Sequence, residues 1–130
     1  MSKSDKSTHP PIVDIYCRVA VRDTDSEQRL YEQEETCRRY CDQNGLLVER
    51  VHRDIGSGLQ LHHAGLTEFR DRATHGAIQG VVMTHLNRLS RSHTQLVSLL
   101  DELDQHHVTV HTASEQLKHT LIYQYRRATS

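Results

Sequence analysis

The sequence predicts a three-layer α/β fold, in which helices cover both faces of a mainly parallel sheet of four or five strands. Two patterns lead to this prediction. Short, β-branched apolar runs alternate along the chain with longer segments of helical periodicity. Each helical segment also lies between two strand-like runs, which is typical of right-handed crossovers between parallel strands. The 130 residues suit one compact domain.

Four runs have the character of strands. The first, Ile12–Val19, reads IVDIYCRV and is almost continuously apolar, which favours a central position in the sheet. The other predicted strands cover residues 46–51, 78–84 and 108–111.

Three segments between these strands have helical periodicity. In Ser26–Asn44, the residues Leu30, Cys37, Tyr40 and Cys41 fall on one stripe, and Gly45 follows as a C-cap. Residues 66–74 and 92–105 are the other two predicted helices. We divide the chain into a polar leader (1–11), one domain (12–115) and a partial C-terminal helix or tail (116–130).

Composition narrows the possible functions. Lys and Arg number 16 against 17 Asp and Glu, which excludes a strongly basic nucleic-acid module but allows a DNA-facing surface where charges segregate. The sequence has neither an apolar run of membrane-spanning length nor a secretory signal, so we expect a cytoplasmic location and no membrane partner. The spacing of Cys37 and Cys41 is compatible with a metal site and also with two buried residues on one face of a helix. Because both lie on the apolar stripe of the helix, burial in the core is favoured.

Arginines follow the first and third predicted strands. Arg18 and Arg22 lie at the end of the first, and Arg88 and Arg91 lie in the loop after the third. Ligands of open α/β sheets bind outside the carboxyl ends of the strands, and guanidinium groups match phosphate oxygens. This pattern predicts an oxyanion site, most plausibly for phosphate. Solvated surface arginines are the alternative.

Three blocks of sequence carry a resemblance to a known family. They are Tyr16-Cys17-Arg18-Val19-Ala20, then Asp54-Ile55-Gly56-Ser57-Gly58 with His62-His63-Ala64-Gly65-Leu66, and finally Leu86-Asn87-Arg88-Leu89-Ser90-Arg91. In this order they resemble the catalytic domain of serine recombinases, the resolvase/invertase family. The resemblance covers about residues 12–115.

The resemblance implies a flavodoxin-like three-layer sandwich with strand order 2-1-3-4. It also implies a reaction in which a serine hydroxyl attacks a DNA phosphodiester and forms a 5′-phosphoserine, without metal or other cofactor. Arg18, Arg88 and Arg91 would bind the phosphate, and Gln33 would position the nucleophile loop. The partners implied are DNA and a second recombinase subunit, as a homodimer or in hetero-association.

The chain departs from the family pattern at three catalytic positions. Ala20 stands where the family has the serine nucleophile, His63 where it has an arginine, and Asn87 where it has an aspartate. A methyl group cannot attack phosphorus, so the sequence predicts a catalytically inactive domain that acts by DNA or subunit association. Ser90 is the best substitute nucleophile, but we do not expect it to serve. The tail 116–130 is too short for the DNA-binding parts that the resemblance implies, so we expect this chain alone to bind DNA weakly.

Two alternatives remain open at this point. The chain is an inactivated fragment of a working serine recombinase, or it is a protein-interaction module without a DNA role.

Overall fold

The computed structural model describes residues 9–56 and 63–115. Within them the chain alternates between strands and helices, as the sequence predicts. The strands are β1 (Ile12–Val19), β2 (Leu47–Ile55), β3 (Gly80–Met83) and β4 (Thr109–Thr112), and the helices are α1 (Ser26–Asn44), α2 (Ala64–Thr74) and α3 (His93–Gln105). A short 3-10 turn, Leu86–Arg88, follows β3.

The four strands form a parallel sheet in the order β2-β1-β3-β4. This confirms the α/β class, the parallel sheet and the predicted strand order. Because β1 and β3 are neighbours, the loops that leave their carboxyl ends emerge side by side. The strand order thereby brings the first and third sequence blocks together.

Helices pack on both faces of the sheet. On one face, α1 buries Leu30, Cys37 and Cys41 against the side chains of β1. On the other, α2 and α3 pack over Tyr16 and Val81, with Phe69 of α2 fully buried among them. The three cysteines are free and buried, which confirms that Cys37 and Cys41 belong to the core stripe of α1. Gly45 ends α1 with φ of 67°, as its predicted role as a C-cap requires.

The predicted bounds of two strands are wrong. Strand β2 extends to Ile55, beyond the predicted end at residue 51, because it pairs with the whole length of β1 up to Val19. Asp54, predicted to lie in a loop, is therefore a strand residue paired with Arg18. Strand β3 is shorter than predicted, since it starts at Gly80 and ends at Met83. The leader up to residue 8, Ser57, Gly58, His62 and the tail 116–130 lie outside the described residues.

A buried ionic network fastens α2 to the sheet. Asp14 of β1 is 0% exposed, and it accepts hydrogen bonds from Nε of Arg72 at 2.6 Å and from Nη2 of Arg72 at 3.0 Å. Nε2 of His52 lies 2.8 Å from the same carboxylate, and Nδ1 of His52 lies 3.2 Å from Glu68. Although burial raises the pKa of Asp14, the hydrogen bonds from His52 and Arg72 hold it below its ordinary value.

Among the described residues, no helix combines the length and the apolar character that crossing a membrane requires.

Candidate phosphate-binding site

A cleft of about 300 Å³ lies between α1 and the carboxyl ends of β1 and β3. We call it the α1 cleft. Ala20 and Arg88 both line it, together with Gln33, and Ala20 is exposed to solvent. The remaining lining residues are Val19, Arg29, Glu32, Thr36, Thr84, His85 and Ser114. Ala20, which occupies the position predicted for the nucleophile, therefore lies in the same cavity as Arg88, one of the predicted phosphate-binding arginines.

Arg18 is a buried residue that holds the surrounding backbone. Its Nε donates to the carbonyl oxygen of Arg88 at 2.8 Å, Nη1 to that of Gly56 at 2.7 Å and Nη2 to that of Asn87 at 2.6 Å. Only 3% of the residue is exposed. Burial lowers the pKa of Arg18, and the positive charges of Arg88 and Arg91 lower it further. In this arrangement the guanidinium ties the loops after β2 and β3 to β1 and offers little surface to an external phosphate.

Gln33 fixes the end of β1 from the side. Its amide oxygen accepts from the backbone N–H of Arg18 at 3.1 Å, and its amide nitrogen donates to the Arg18 carbonyl at 3.0 Å. A side chain of α1 thereby satisfies both backbone groups of Arg18, as a neighbouring strand would. The contact lies two residues before Ala20, and the role of Gln33 in positioning the nucleophile loop stays a prediction.

Arg88 connects the third sequence block to the first. Its Nη1 donates to the Arg18 carbonyl at 3.1 Å, so the two arginines each donate to the other's backbone. Burial lowers the pKa of Arg88, which nevertheless keeps its charge because a guanidinium does not deprotonate in proteins. Among the described residues, Nε of Arg88 and Oγ1 of Thr84 are buried side-chain atoms without a hydrogen-bond partner. Both residues line the α1 cleft.

Arg91 and Asn87 face a different cavity. They line a second cleft, of about 410 Å³, beside the amino end of α3, which we call the α3 cleft. Arg91 and Asn87 are exposed. His85 lines both clefts, so the two cavities adjoin along the loop after β3. The three predicted phosphate-binding arginines therefore do not line one cavity. Arg88 lines the α1 cleft, Arg91 lines the α3 cleft, and Arg18 lines neither of them.

Ser90, the suggested substitute nucleophile, is buried. Only 2% of the residue is exposed, and its hydroxyl lies 3.1 Å from Oε1 of Gln95 and 3.1 Å from the backbone N–H of Ser92. These contacts lie at the start of α3, where Ser92 is the N-cap. The hydroxyl therefore supports the local turn.

His63 precedes α2 and packs against the backbone of Gly56. A Cβ atom built on Gly56 would displace the imidazole of His63, and the φ of Gly56, 155°, is one that residues with a side chain rarely adopt, so this position favours glycine. The carbonyl of the same Gly56 accepts from Arg18. His63 is therefore in contact with a residue, Gly56, that is hydrogen-bonded to the buried Arg18. His63 itself does not line the α1 cleft.

Sequence reasoning missed two residues of this region. Asp54 accepts hydrogen bonds from the backbone N–H groups of Gly65 at 2.7 Å and Leu66 at 2.8 Å, and it thereby caps α2 from the neighbouring strand. Its place in the second sequence block was a signal, but its assignment to a loop hid the capping role. Thr84 gave no signal in the sequence, because only its position beside Ala20 and Arg88 distinguishes it from other threonines.

Comparison with known proteins identifies the family of the chain. Residues 13–127 match the family described as "Resolvase, N terminal domain". The chain belongs to the resolvase family. Among curated proteins, none matches the sequence of this resolvase-family chain.

Solved structures share the resolvase-type fold. The N-terminal catalytic domain of TP901-1 integrase is 22% identical and superposes with a TM-score of 0.75, covering 91% of this chain and 91% of that domain. A resolvase family site-specific recombinase from Streptococcus pneumoniae is 14% identical with a TM-score of 0.75, covering 92% and 85%. The catalytic domain of ISC1926 TnpA, an IS607-like serine recombinase, is 20% identical with a TM-score of 0.72, covering 91% and 78%. At these identities the likeness concerns the fold.

Proposed function

We propose that this chain is a serine-recombinase catalytic-type domain that has lost the covalent step and takes part in site-specific DNA recombination by non-covalent association. The observation that carries the proposal is the exposed Ala20 in the same cleft as Arg88. An arginine that is positioned to stabilise a phosphate stands beside a residue without any nucleophilic atom. Two further positions at which the family has charged side chains hold an imidazole, His63, and an amide, Asn87, in this chain, and both substitutions fit the same loss.

The three arginines have different roles in this proposal. Arg88, in the α1 cleft, and the exposed Arg91, beside the α3 cleft, contact DNA phosphates directly. Arg18 acts as a positioning residue, because its guanidinium donates to the carbonyls of Arg88 and Asn87 and so holds the loop on which the other arginines lie. With two direct cationic contacts, binding is weak, and the logarithm of the binding constant falls with the logarithm of the salt concentration with a slope of about −1.8.

Binding is tested by fluorescence anisotropy of a labelled random-sequence DNA duplex over a series of salt concentrations. We expect salt-sensitive binding that the double variant Arg88→Ala, Arg91→Ala abolishes. The double variant Arg38→Ala, Arg39→Ala is the matched control, since it removes two positive charges from exposed positions of α1 that do not line the α1 cleft. If the double variant binds as the unchanged chain does, the DNA role is wrong, and a protein-interaction module becomes the better description.

Loss of the covalent step is tested by denaturing gel analysis of the protein after incubation with DNA that contains nicks. We expect no covalent protein–DNA adduct from the unchanged chain, because Ala20 offers no atom for a phosphoester bond. An adduct from the unchanged chain would overturn the proposal. An adduct that appears only with Ala20→Ser would identify the chain as an otherwise intact recombinase that one substitution has silenced.

Subunit association is the second part of the proposal, with a copy of this chain or with an active recombinase subunit as partner. Sedimentation velocity of the chain alone, and of the chain mixed with an active recombinase, measures it. We expect a dimer in at least one of the two samples. A monomer in both would leave DNA as the partner.

A further inference from the structure

We propose that Glu115, which follows β4, is a positioning residue for the loop after β3, and that its hydrogen bond to this loop sets how tightly Arg88 and Arg91 bind DNA. This inference rests on the proposed function, because it names what holds the DNA-contacting arginines of that function in place. It is carried by a contact between the carboxylate of Glu115 and the backbone N–H of Leu86.

The side chain of Glu115 reaches the first residue of the 3-10 turn. Its Oε1 atom accepts from the backbone N–H of Leu86 at 2.6 Å, across 29 positions of sequence. The first N–H groups of a helical turn have no partner within the turn itself. A carboxylate satisfies such a group well, since a hydrogen bond to a charged acceptor is roughly twice as strong as a neutral one. The turn Leu86–Arg88 therefore starts at a fixed point.

Glu115 is itself held in place beside the sheet. Its carbonyl oxygen accepts from Oγ1 of Thr112, the last residue of β4, at 2.6 Å. The N–H groups of Ala113 and Ser114 donate to the carbonyl oxygens of the last residue of β3 and of the residue that follows it, at 2.8 Å and 3.0 Å. The chain thus stays paired with β3 up to the residue before Glu115, and the sheet fixes the point from which the carboxylate reaches the loop.

Two side chains hold this loop at different points. Glu115 accepts from the N–H of Leu86 at its start, and Arg18 donates to the carbonyls of the next two residues, Asn87 and Arg88. The side chain of Arg88 lines the α1 cleft, and that of Asn87 lines the α3 cleft. Removing the carboxylate leaves the N–H of Leu86 without its acceptor and loosens the loop. A loose loop must be ordered when DNA binds, and this ordering lowers the affinity.

The charge of Glu115 allows positioning to be separated from electrostatics. Glu115 lines the α3 cleft together with the exposed Arg91. A carboxylate at this place repels DNA phosphates, so its removal tightens binding if charge alone matters. A positioning role predicts the opposite, namely weaker binding once the carboxylate is removed. The direction of the change in affinity therefore distinguishes the two roles.

The first experiment measures the affinity of the full chain for a labelled random-sequence duplex by fluorescence anisotropy at low salt. We expect Glu115→Ala to bind about fivefold to tenfold more weakly than the unchanged chain, because it loses a hydrogen bond to a charged group. Glu115→Asp keeps the charge on a side chain that is one methylene shorter, and it should also weaken binding. Glu115→Gln keeps an acceptor oxygen at the same reach without the charge, so we expect it to bind at least as tightly as the unchanged chain. Glu35→Ala, which removes another half-buried glutamate that lines neither cleft, is the control and should leave the affinity unchanged.

Two further measurements test whether Glu115 acts through the loop. In an Arg88→Ala background, Glu115→Ala should cost less affinity than in the unchanged chain, because the effects of coupled residues do not add. Hydrogen exchange at the Leu86 amide needs no DNA and reports the contact directly. We expect this exchange to be about tenfold faster in Glu115→Ala than in the unchanged chain and in Glu115→Gln.

Several outcomes would overturn the role of Glu115. A Glu115→Ala protein that is folded by circular dichroism and binds DNA as tightly as the unchanged chain, or more tightly, contradicts it and leaves the proposed function intact. Equal losses in Glu115→Ala and Glu115→Gln also contradict it, because the hydrogen bond is then not the cause. If the unchanged chain binds no DNA, the proposed function itself is wrong, and equal exchange at the Leu86 amide in all variants would show that Glu115 does not hold the loop.

Discussion

The hydroxyl of Tyr16 donates a hydrogen bond of 2.6 Å to the carboxylate of Asp54, from one strand to its neighbour. The same carboxylate accepts from the N–H groups of Gly65 and Leu66, so three donors converge on one buried acid. Gly65 is required here, because a Cβ atom at that position would lie 2.9 Å from Oδ1 of Asp54. The contact joins β1, β2 and the start of α2 beside the loop that carries His63.

The first prediction concerns this contact. We expect Asp54→Ala to lower the free energy of unfolding by about 2–4 kcal/mol, because the helix loses its cap and the Tyr16 hydroxyl loses its acceptor. Tyr16→Phe, which removes a single hydrogen bond, should cost about 1 kcal/mol. Urea unfolding followed by circular dichroism measures both. If the two losses simply add in the double variant, Tyr16 and Asp54 are not coupled in the way the structure indicates.

A second prediction separates positioning from direct phosphate contact at Arg18. Arg18→Lys keeps a positive charge but loses the planar fork that reaches three carbonyls, so we expect a loss of about 1–3 kcal/mol in the free energy of unfolding together with weaker DNA binding. Arg22→Lys, at an exposed position of the same segment, is the control and should change neither quantity. An Arg18→Lys protein of unchanged stability that binds DNA poorly would indicate a direct contact between Arg18 and phosphate.

The third prediction is a dependence of stability on pH. The pKa of Asp14 is lower in the folded chain than in the unfolded chain, where it is about 3.9. The ion pairs of Asp14 therefore stabilise the fold fully at pH values above the pKa of the unfolded chain, and this stabilisation is lost as the pH falls through the pKa of the folded chain. At neutral pH we expect Asp14→Asn to destabilise the fold by about 3 kcal/mol, because it leaves the partly buried Arg72 and the buried His52 without their carboxylate.

Urea unfolding of both proteins at several pH values gives the decisive comparison. The difference in stability between the unchanged chain and Asp14→Asn should shrink as the medium becomes more acidic than about pH 4. Glu34 and Glu102 also have lowered pKa values, but they are present in both proteins and cancel from the difference. A difference that stays constant into strong acid would show that the Asp14 network does not titrate with folding.

The fourth prediction concerns the cysteines. Burial raises the pKa of Cys17 to about 12 and that of Cys41 to about 11, and it also raises the pKa of Cys37. Because the thiolate is the reactive form, we expect none of the three to react with a thiol reagent at about pH 8 while the chain is folded, and all three to react in denaturant. Absorbance of the released thiolate counts the reacting groups. A fast reaction in the folded chain would mean that α1 opens away from the sheet.

The order of elements and the sheet class were predictable because they depend on periodicity, which local sequence displays directly. Alternating strand-like and helical segments predicted a parallel sheet, and the β-branched, apolar run of β1 predicted its central place. The ends of β2 and β3 were not predictable, since they depend on how far a neighbouring strand continues to offer hydrogen bonds. The burial of Asp14 was not predictable for a similar reason. A carboxylate within an apolar strand is tolerated here because Arg72 and His52, which lie on other elements, contact it.

For the candidate site, the sequence by itself determined which chemical groups are present. Ala20 without a nucleophilic atom, the arginines at the strand ends and the three motif blocks follow from the residues alone. Only the tertiary structure decided how these groups are used. It directs Arg18 toward backbone carbonyls, places Arg88 and Ala20 in one cleft and sets Arg91 beside another. The physical reason is that residue type fixes charge and hydrogen-bonding capacity, whereas burial and partners depend on which strands and loops the fold brings together.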